Sequence, residues 1–279
     1  MSKLLRANMA RLWKSKIFWL CMGGMLIYAV VFMLDAGRKT FSVLTGEAYT
    51  LEYYYFQFLL YISFFFAVVT SIFLGTEYSD GTMRNKLIVG HTRTNVYLAN
   101  LIVTFVAGLL IMGVWFIGAL AGVPSLGFFT FTPDKLVVYF LFCVLLAASY
   151  SAINTFVAML SSSKTVTVLI SLVLTFALLL CASLLYNSLE APETINTLSG
   201  ITLSGQEPLV GEEIPNPRYI GGTMRTVFQM LLEFLPTGQS VKVAYLKIEH
   251  PIVMILSSAI VTVGVTAMGI VLFRKKDLK

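Results

Sequence analysis

The sequence predicts an all-α integral membrane protein, and three observations carry that prediction. The chain has 279 residues, of which 57% are hydrophobic and only 12% charged, about half the charged share of a soluble domain. Six apolar runs are each near the roughly 20 helical residues that a bilayer core of about 30 Å demands. They lie at about 17–34, 55–75, 96–122, 136–160, 166–186 and 252–273. None of these runs contains Asp, Glu, Lys, Arg or His. The charges cluster at their ends, as membrane topology requires, so the formal net charge of +6 marks a membrane surface and excludes a nucleic-acid interface.

Residues 1–16 come first. Lys3, Arg6, Arg11, Lys14 and Lys16 alternate with Leu4, Leu5, Met9, Leu12 and Trp13, the pattern of a basic amphipathic helix lying in the membrane interface. A cleaved signal peptide is the rival reading. The following apolar run has no small-x-small cleavage site, so the segment is read as retained. Cys21, Cys143 and Cys181 all fall in apolar runs without CxxC spacing and read as small buried hydrophobes.

With the N-terminus inside, the inner segments collect the five basic residues of the start, then Arg84, Lys86 and Arg93, then Lys164, then Arg274, Lys275, Lys276 and Lys279. Only Glu77, Asp80 and Asp277 oppose them. The bias places both termini in the cytoplasm, in the cell membrane of a multi-pass protein.

The segment 76–95 joins the second and third runs on the inner side. Ser79-Asp80-Gly81 is a turn signal, and Asp and Thr are good N-caps. Met83, Leu87 and Ile88 are expected on one side of a short helix, with Arg84, Asn85 and Lys86 around the rest. Gly90 stands where a C-terminal glycine would. The helix reads as a surface for something outside the membrane.

The outer segments are uneven. Asp35–Tyr54 ends in an aromatic run, Tyr53-Tyr54-Tyr55-Phe56, suited to an interfacial belt. The segment 187–251 is long. Within it Val227, Met230, Leu231 and Phe234 repeat at helical spacing over Thr223–Leu235, Pro236-Thr237-Gly238 interrupts, and Ser240–Ile248 resumes weakly. A re-entrant or interfacial hairpin before the last span is expected, turning at Leu235, Pro236, Thr237 and Gly238. Asn100 and Asn154 are amides in apolar runs. They could line a substrate path, although interhelical hydrogen bonding is the commoner use.

Several chemistries are missing. There is no GxxxxGK[ST] phosphate loop and no HExxH. His91 and His250 are too sparse for a metal site, and no nucleophile–base pairing falls in the spans. No catalytic residue, metal or cofactor is assigned to this chain.

Glu77-Tyr78-Ser79-Asp80-Gly81-Thr82-Met83-Arg84-Asn85-Lys86, between spans two and three, resembles the cytoplasmic segment of the permeases of bacterial ABC-2 type transporters. Phe234-Leu235-Pro236-Thr237-Gly238-Gln239 and the closing Phe273-Arg274-Lys275-Lys276-Asp277-Leu278-Lys279 resemble that family in position. The resemblance implies a coupling helix that docks on a separate P-loop ATP-binding subunit, which would hold ATP and Mg. It also implies a second permease chain, identical or a sister, in the bilayer. Glu77, Asp80, Gly81, Thr82, Met83, Arg84, Asn85, Lys86 and Leu87 would form the coupling site, with Met83 and Leu87 as apolar knob and Glu77, Asp80, Arg84 and Lys86 as charged rim. The expected function is ATP-driven export of an amphiphilic, peptide or drug-like cargo. An ATP-independent scaffold or sensor using the 187–251 loop, and a membrane-embedded enzyme, are the alternatives.

Overall fold

The computed structural model describes residues 1–40, 50–196 and 213–277, and the middle of the 187–251 loop lies outside them. Among the described residues, six helices are long and apolar enough to cross a membrane. They are α2 (Lys16–Thr40), α4 (Leu59–Ser79, continued backward through the short α3, Leu51–Tyr55), α6 (Arg93–Ala119), α8 (Pro133–Leu160), α9 (Lys164–Glu190) and α12 (Pro251–Lys275). The amphipathic α1 (Ser2–Lys14) precedes them, α5 (Thr82–Ile88) joins α4 to α6, and α7 (Val123–Leu126) follows α6. Between α9 and α12 lie α10 (Gly222–Phe234) and α11 (Pro236–Ala244). A two-stranded antiparallel ribbon, which the periodicity did not signal, pairs β1 (Thr194–Asn196) with β2 (Glu213–Pro215), Ile195 opposite Ile214.

The helices run further than the apolar runs. The helical stretch around α4 begins at Leu51 and ends at Ser79, so Glu52 and Glu77 lie on a membrane helix. Both carboxylates are buried. A buried charge is costly unless hydrogen-bonded. Glu52 Oε1 accepts from the Phe131 backbone N–H at 2.7 Å and from that of Thr130; Glu77 is treated below.

The core gathers on α4, α6 and α8, with α2 packed along α6 and α12 along α8. Trp115, Phe58, Phe56, Phe142 and Tyr97 are wholly enclosed. The second half of the aromatic run expected to form an interfacial belt instead turns inward: Tyr55 and Phe56 are buried, whereas Tyr53 and Tyr54 are half-buried. Tyr55 stacks on Phe116 and meets Phe129 edge-on, and Phe56 packs on Tyr139. Local sequence cannot separate a lipid-facing aromatic from one that finds aromatic partners on α6 and α8. The outward faces remain apolar, with Leu169, Val173, Phe176, Leu180 and Leu184 exposed on α9 and Ile252, Leu256, Ile260 and Val263 on α12. Apolar surface of that extent is stable only against lipid or another apolar partner.

The expected hairpin before the last span is α10–α11, and its turn is sharper than the sequence suggests. Leu235 is the one extended residue between the helices, and Pro236 opens α11 at its first turn, where its missing N–H costs nothing. Pro236 therefore starts the second helix. Gly238 makes the approach possible, because a Cβ there would lie 2.1 Å from the Leu232 carbonyl oxygen. All nine residues of α11 are buried, so it is an interior element and not the weakly amphipathic interfacial helix expected. Polar bonds hold it: Thr237 Oγ1 to the Leu178 carbonyl (2.9 Å), Tyr150 Oη with Ser240 Oγ (2.6 Å), Gln239 Nε2 to the carbonyls of Glu233 and Met254, and Ser258 Oγ to Gln239 Oε1.

Candidate functional site

The segment between α4 and α6 is built by a tight turn and a seven-residue helix. Gly81 takes φ +65° and is itself the N-cap residue of α5. Asp80 does not cap the helix; the Thr82 hydroxyl reaches back to the Glu77 carbonyl at 3.2 Å. At the other end Gly90 has φ +96°. Its N–H bonds to the Leu87 carbonyl (3.0 Å) and the His91 N–H to the Lys86 carbonyl (3.2 Å). These are the two bonds of a Schellman ending, for which glycine is the favoured residue. Thr92 then caps α6, its hydroxyl accepting from the Asn95 N–H at 3.3 Å.

Glu77 is the centre of the site. Its side chain is fully enclosed, with Arg11 Nη1 of α1 at 2.5 Å and Lys86 Nζ of α5 in direct contact. Asn100 of α6 donates its amide to the other carboxylate oxygen at 3.1 Å. Asn8 of α1 donates to Asn100 Oδ1 at 2.6 Å and accepts from Lys86 Nζ at 2.8 Å. One carboxylate thus ties four helices. The Arg11 guanidinium also lies 3.9 Å from the centre of the Phe73 ring, a favourable cation–π position. Burial pulls the Arg11 and Lys86 pKa values down, only partly offset by the attraction of Glu77. The cluster carries two cations for one anion and persists because its members are mutually paired.

A second knot lies beside it. Tyr78 Oη donates to the Met159 carbonyl at 2.6 Å, and Lys276 Nζ sits 4.2 Å from the Tyr78 ring centre. Lys276 also donates to the carbonyls of Met159 (3.1 Å) and Ser161 (2.8 Å). Arg93 donates to the Phe273 carbonyl at 2.9 Å and to that of Lys276. Burial lowers the Lys276 pKa to about 8. The start of α6, the end of α8 and the C-terminal segment are therefore joined to the end of α4.

This geometry corrects the expected face of α5. Met83 is 1% exposed, Lys86 points at Glu77, and Leu87 packs on the core. Residues 83, 86 and 87 share one helical face, and that face is turned inward. Met83 and Leu87 are therefore no outward knob, and Glu77 and Lys86 are no outward rim. The exposed residues are Asp80, Gly81, Arg84 and Asn85, with Ile88 at 71% and Val89 at 77% exposure. Ile88, expected on the side of Met83 and Leu87, lies instead on the exposed side together with Val89.

The two amides are used structurally. Asn100 makes the interhelical bonds described above. Asn154 is 2% exposed and donates to the Tyr150 carbonyl one turn back at 2.9 Å, so its bond is within its own helix.

On the opposite end of the bundle Leu235, Pro236, Thr237 and Gly238 form the turn into α11, the last three of them buried. Beside it the structure assembles Glu233, Glu249 and His250, whose ligand-capable atoms lie within 4.8 Å of one another. Sequence spacing gave no sign of this cluster. Lys242 Nζ already bonds Glu233 Oε1 (2.6 Å) and Glu249 Oε2 (3.0 Å), and His250 Nδ1 lies 2.9 Å from Glu233 Oε1. The ammonium serves as the cation there. Burial of Glu233 would raise its pKa, but bonds from Lys242 and His250 outweigh this and hold it below the usual carboxylate value.

Residues 4–178, from α1 well into α9, match the family model described as ABC-2 family transporter protein. The chain belongs to the ABC-2 transporter family. No curated protein and no solved structure matches it. Membership makes this chain a permease, the membrane subunit of an ABC transporter, and associates it with an ATP-binding subunit. The matched region contains the whole Glu77 cluster and α5; the α10–α11 hairpin lies beyond it.

Proposed function

We propose that this permease exports an amphiphilic cargo as one of a pair of membrane chains, and that ATP hydrolysis on a separate P-loop subunit, which binds ATP and Mg, is transmitted through α5. The observation that carries this reading is the Glu77 cluster. It ties α5 to α1, α4 and α6 by buried charge-assisted bonds, so a push on α5 moves three other helices rather than bending a loop. Buried polar networks whose members bond one another are rigid; in this one Arg11 Nε alone lacks a partner among the described residues. The contact surface offered is Ile88 and Val89, flanked by Arg84, Asn85 and Asp80 on the cytoplasmic side: an apolar centre with a polar rim, as protein interfaces require.

An amphiphilic cargo fits the chemistry of the spans. Glu77 is consumed by bonds within the chain and Glu52 is tied through Oε1, leaving only Glu52 Oε2 without a partner among the described residues, whereas a bare ion would need several free polar ligands along its route.

The test is a mild-detergent pull-down from the native host, comparing wild type with Ile88→Asp plus Arg84→Glu. Both positions are exposed, so the fold is expected to survive. Co-purification of a P-loop ATPase, lost in the double variant, supports the reading. Undiminished capture of the ATPase by the variant refutes α5 as the contact, and a folded wild type that captures none favours the scaffold alternative.

A further inference from the structure

Composition alone would lay the apolar side of α1 in lipid, but the structure spends that side on the protein. Leu4, Asn8 and Leu12 are buried, and Leu5 and Met9 pack on the core, with α6 as the main neighbour. The side left exposed carries Lys3, Arg6, Ala7, Ala10, Trp13 and Lys14. Spacings of three and four put these residues on one helical face. The free face of α1 is therefore basic.

That face sits where the spans leave the membrane. Arg11 Nη2 donates to the Phe73 carbonyl at 3.4 Å, near the end of α4, and Asn8 bonds Asn100 near the start of α6. Ser15 alone separates α1 from the span α2. At this corner Trp13 and Trp19 are 45% and 50% exposed with their rings 5.6 Å apart, and the Trp19 indole N–H donates to the Trp13 carbonyl at 2.8 Å. Tryptophan favours the head-group level of a bilayer. The charge is one-sided, because residues 1–34 contain no Asp or Glu. The acids that act on the helix, Glu77 and Asp80, do so at Arg11, which turns toward the protein to pair with Glu77. Lys3, Arg6, Lys14 and Lys16 are exposed, and none of them is in an ion pair among the described residues.

We propose that this corner binds anionic phospholipid head groups in the leaflet on the α5 side of the bundle, with Lys3, Arg6, Lys14 and Lys16 meeting the phosphates and Trp13 and Trp19 seated beside them. Basic groups near an anionic surface draw phosphate by charge and by charge-assisted hydrogen bonds. Lys164, Arg274 and Lys275 are exposed at the same end but have no exposed tryptophan beside them, so they serve as the comparison. Asn8 and Arg11 of the same helix hold Asn100 and Glu77. Head groups bound on the free face therefore add to the seating of α1 on the Glu77 cluster, and membrane charge tunes how firmly that cluster is held. This needs the membrane fold and not the coupling role of α5.

The test is fluorescence quenching of the whole chain in phosphatidylcholine vesicles doped with either phosphatidylglycerol or phosphatidylcholine brominated on the acyl chains. Trp115 is enclosed in the core, so quenching reports Trp13 and Trp19. At low salt the brominated phosphatidylglycerol is expected to reach half-quenching at about fivefold lower mole fraction, the enrichment that one basic residue supports at an anionic surface. Salt at about 1 M is expected to shrink the difference. Lys3→Gln plus Arg6→Gln plus Lys14→Gln, all at exposed positions, is expected to abolish the preference, whereas Arg274→Gln plus Lys275→Gln is expected to keep it. A second readout needs no variant: proteolytic release of α1 is expected to slow severalfold as phosphatidylglycerol replaces phosphatidylcholine. Equal quenching by the two lipids at low salt overturns the proposal and leaves the face to an acidic protein partner. A preference that survives the triple variant, or that vanishes with the Arg274 and Lys275 pair, overturns it too, because the head groups would then gather elsewhere. Release of α1 that ignores lipid charge refutes the link to the Glu77 cluster.

Discussion

Replacing Glu77 with alanine would remove the one anion that holds Arg11, Lys86 and Asn100 together. The side chain is fully buried and makes three contacts, two of them with the cations Arg11 and Lys86. Removing one partner of a buried ion pair costs about 3–5 kcal/mol, chiefly because the remaining charge is left uncompensated. Here two cations are left, both largely enclosed, so the upper part of that range is expected. At about 2–4 °C per kcal/mol for chains of this order of size, the melting temperature in detergent should fall by on the order of 10 °C. Limited proteolysis should report α1 released first, since Arg11 and Asn8 are its polar anchors. The decisive comparison is the triple replacement Arg11→Met, Glu77→Leu and Lys86→Met. Apolar groups of similar volume should recover most of the lost stability, while leaving α5 without its polar lock. A fall of less than about 1 kcal/mol for Glu77→Ala, the scale of an exposed pair, would refute the argument that this carboxylate is a buried keystone. A triple variant no more stable than the single one would refute the account of uncompensated charge.

Other expected outcomes concern the rest of the fold. Gly238→Ala should force α10 from α11, because its Cβ would meet the Leu232 carbonyl at 2.1 Å; a loss of about 1–3 kcal/mol is expected by thermal unfolding, with faster cleavage in the hairpin. Lys276 has a folded-state pKa of about 8 against an ordinary 10.5, so the undocked C-terminal segment binds more protons between these values. Its docking should therefore tighten as pH rises from about 8 to 10.5, as slower hydrogen exchange at the end of α12, and Lys276→Met should remove that dependence. The carboxylate of Glu233 is held below its ordinary 4.5, so its contribution is complete above that value and lost as pH falls through the lower folded pKa. Lys242→Met should abolish this advantage and shift acid unfolding of the hairpin to higher pH.

The distribution of apolar residues determined much of this protein by itself. Runs too long for anything but a bilayer span fixed six membrane helices. The alternating basic and apolar residues before Ile17 marked α1, and Gly81, Gly90 and Pro236 marked three breaks at or beside the observed turns. These are local signals, set by hydrophobic length and backbone stereochemistry, so they can be read one segment at a time. Tertiary structure decided which faces meet. The apolar pattern grouped Met83 and Leu87 with Ile88 and set Lys86 apart, but the contact of Lys86 with Glu77 and Asn8 turns residues 83, 86 and 87 inward and leaves Ile88 exposed. Glu77, Arg11 and Asn100 come from three separate segments of the chain, and Glu233, Lys242 and His250 from both sides of a turn. The Tyr55–Phe56 pair reads equally well as a belt or a core until α6 and α8 supply its partners. An ionisable or aromatic side chain takes its energy from what surrounds it, and those surroundings are assembled by chain crossings that a linear pattern does not specify.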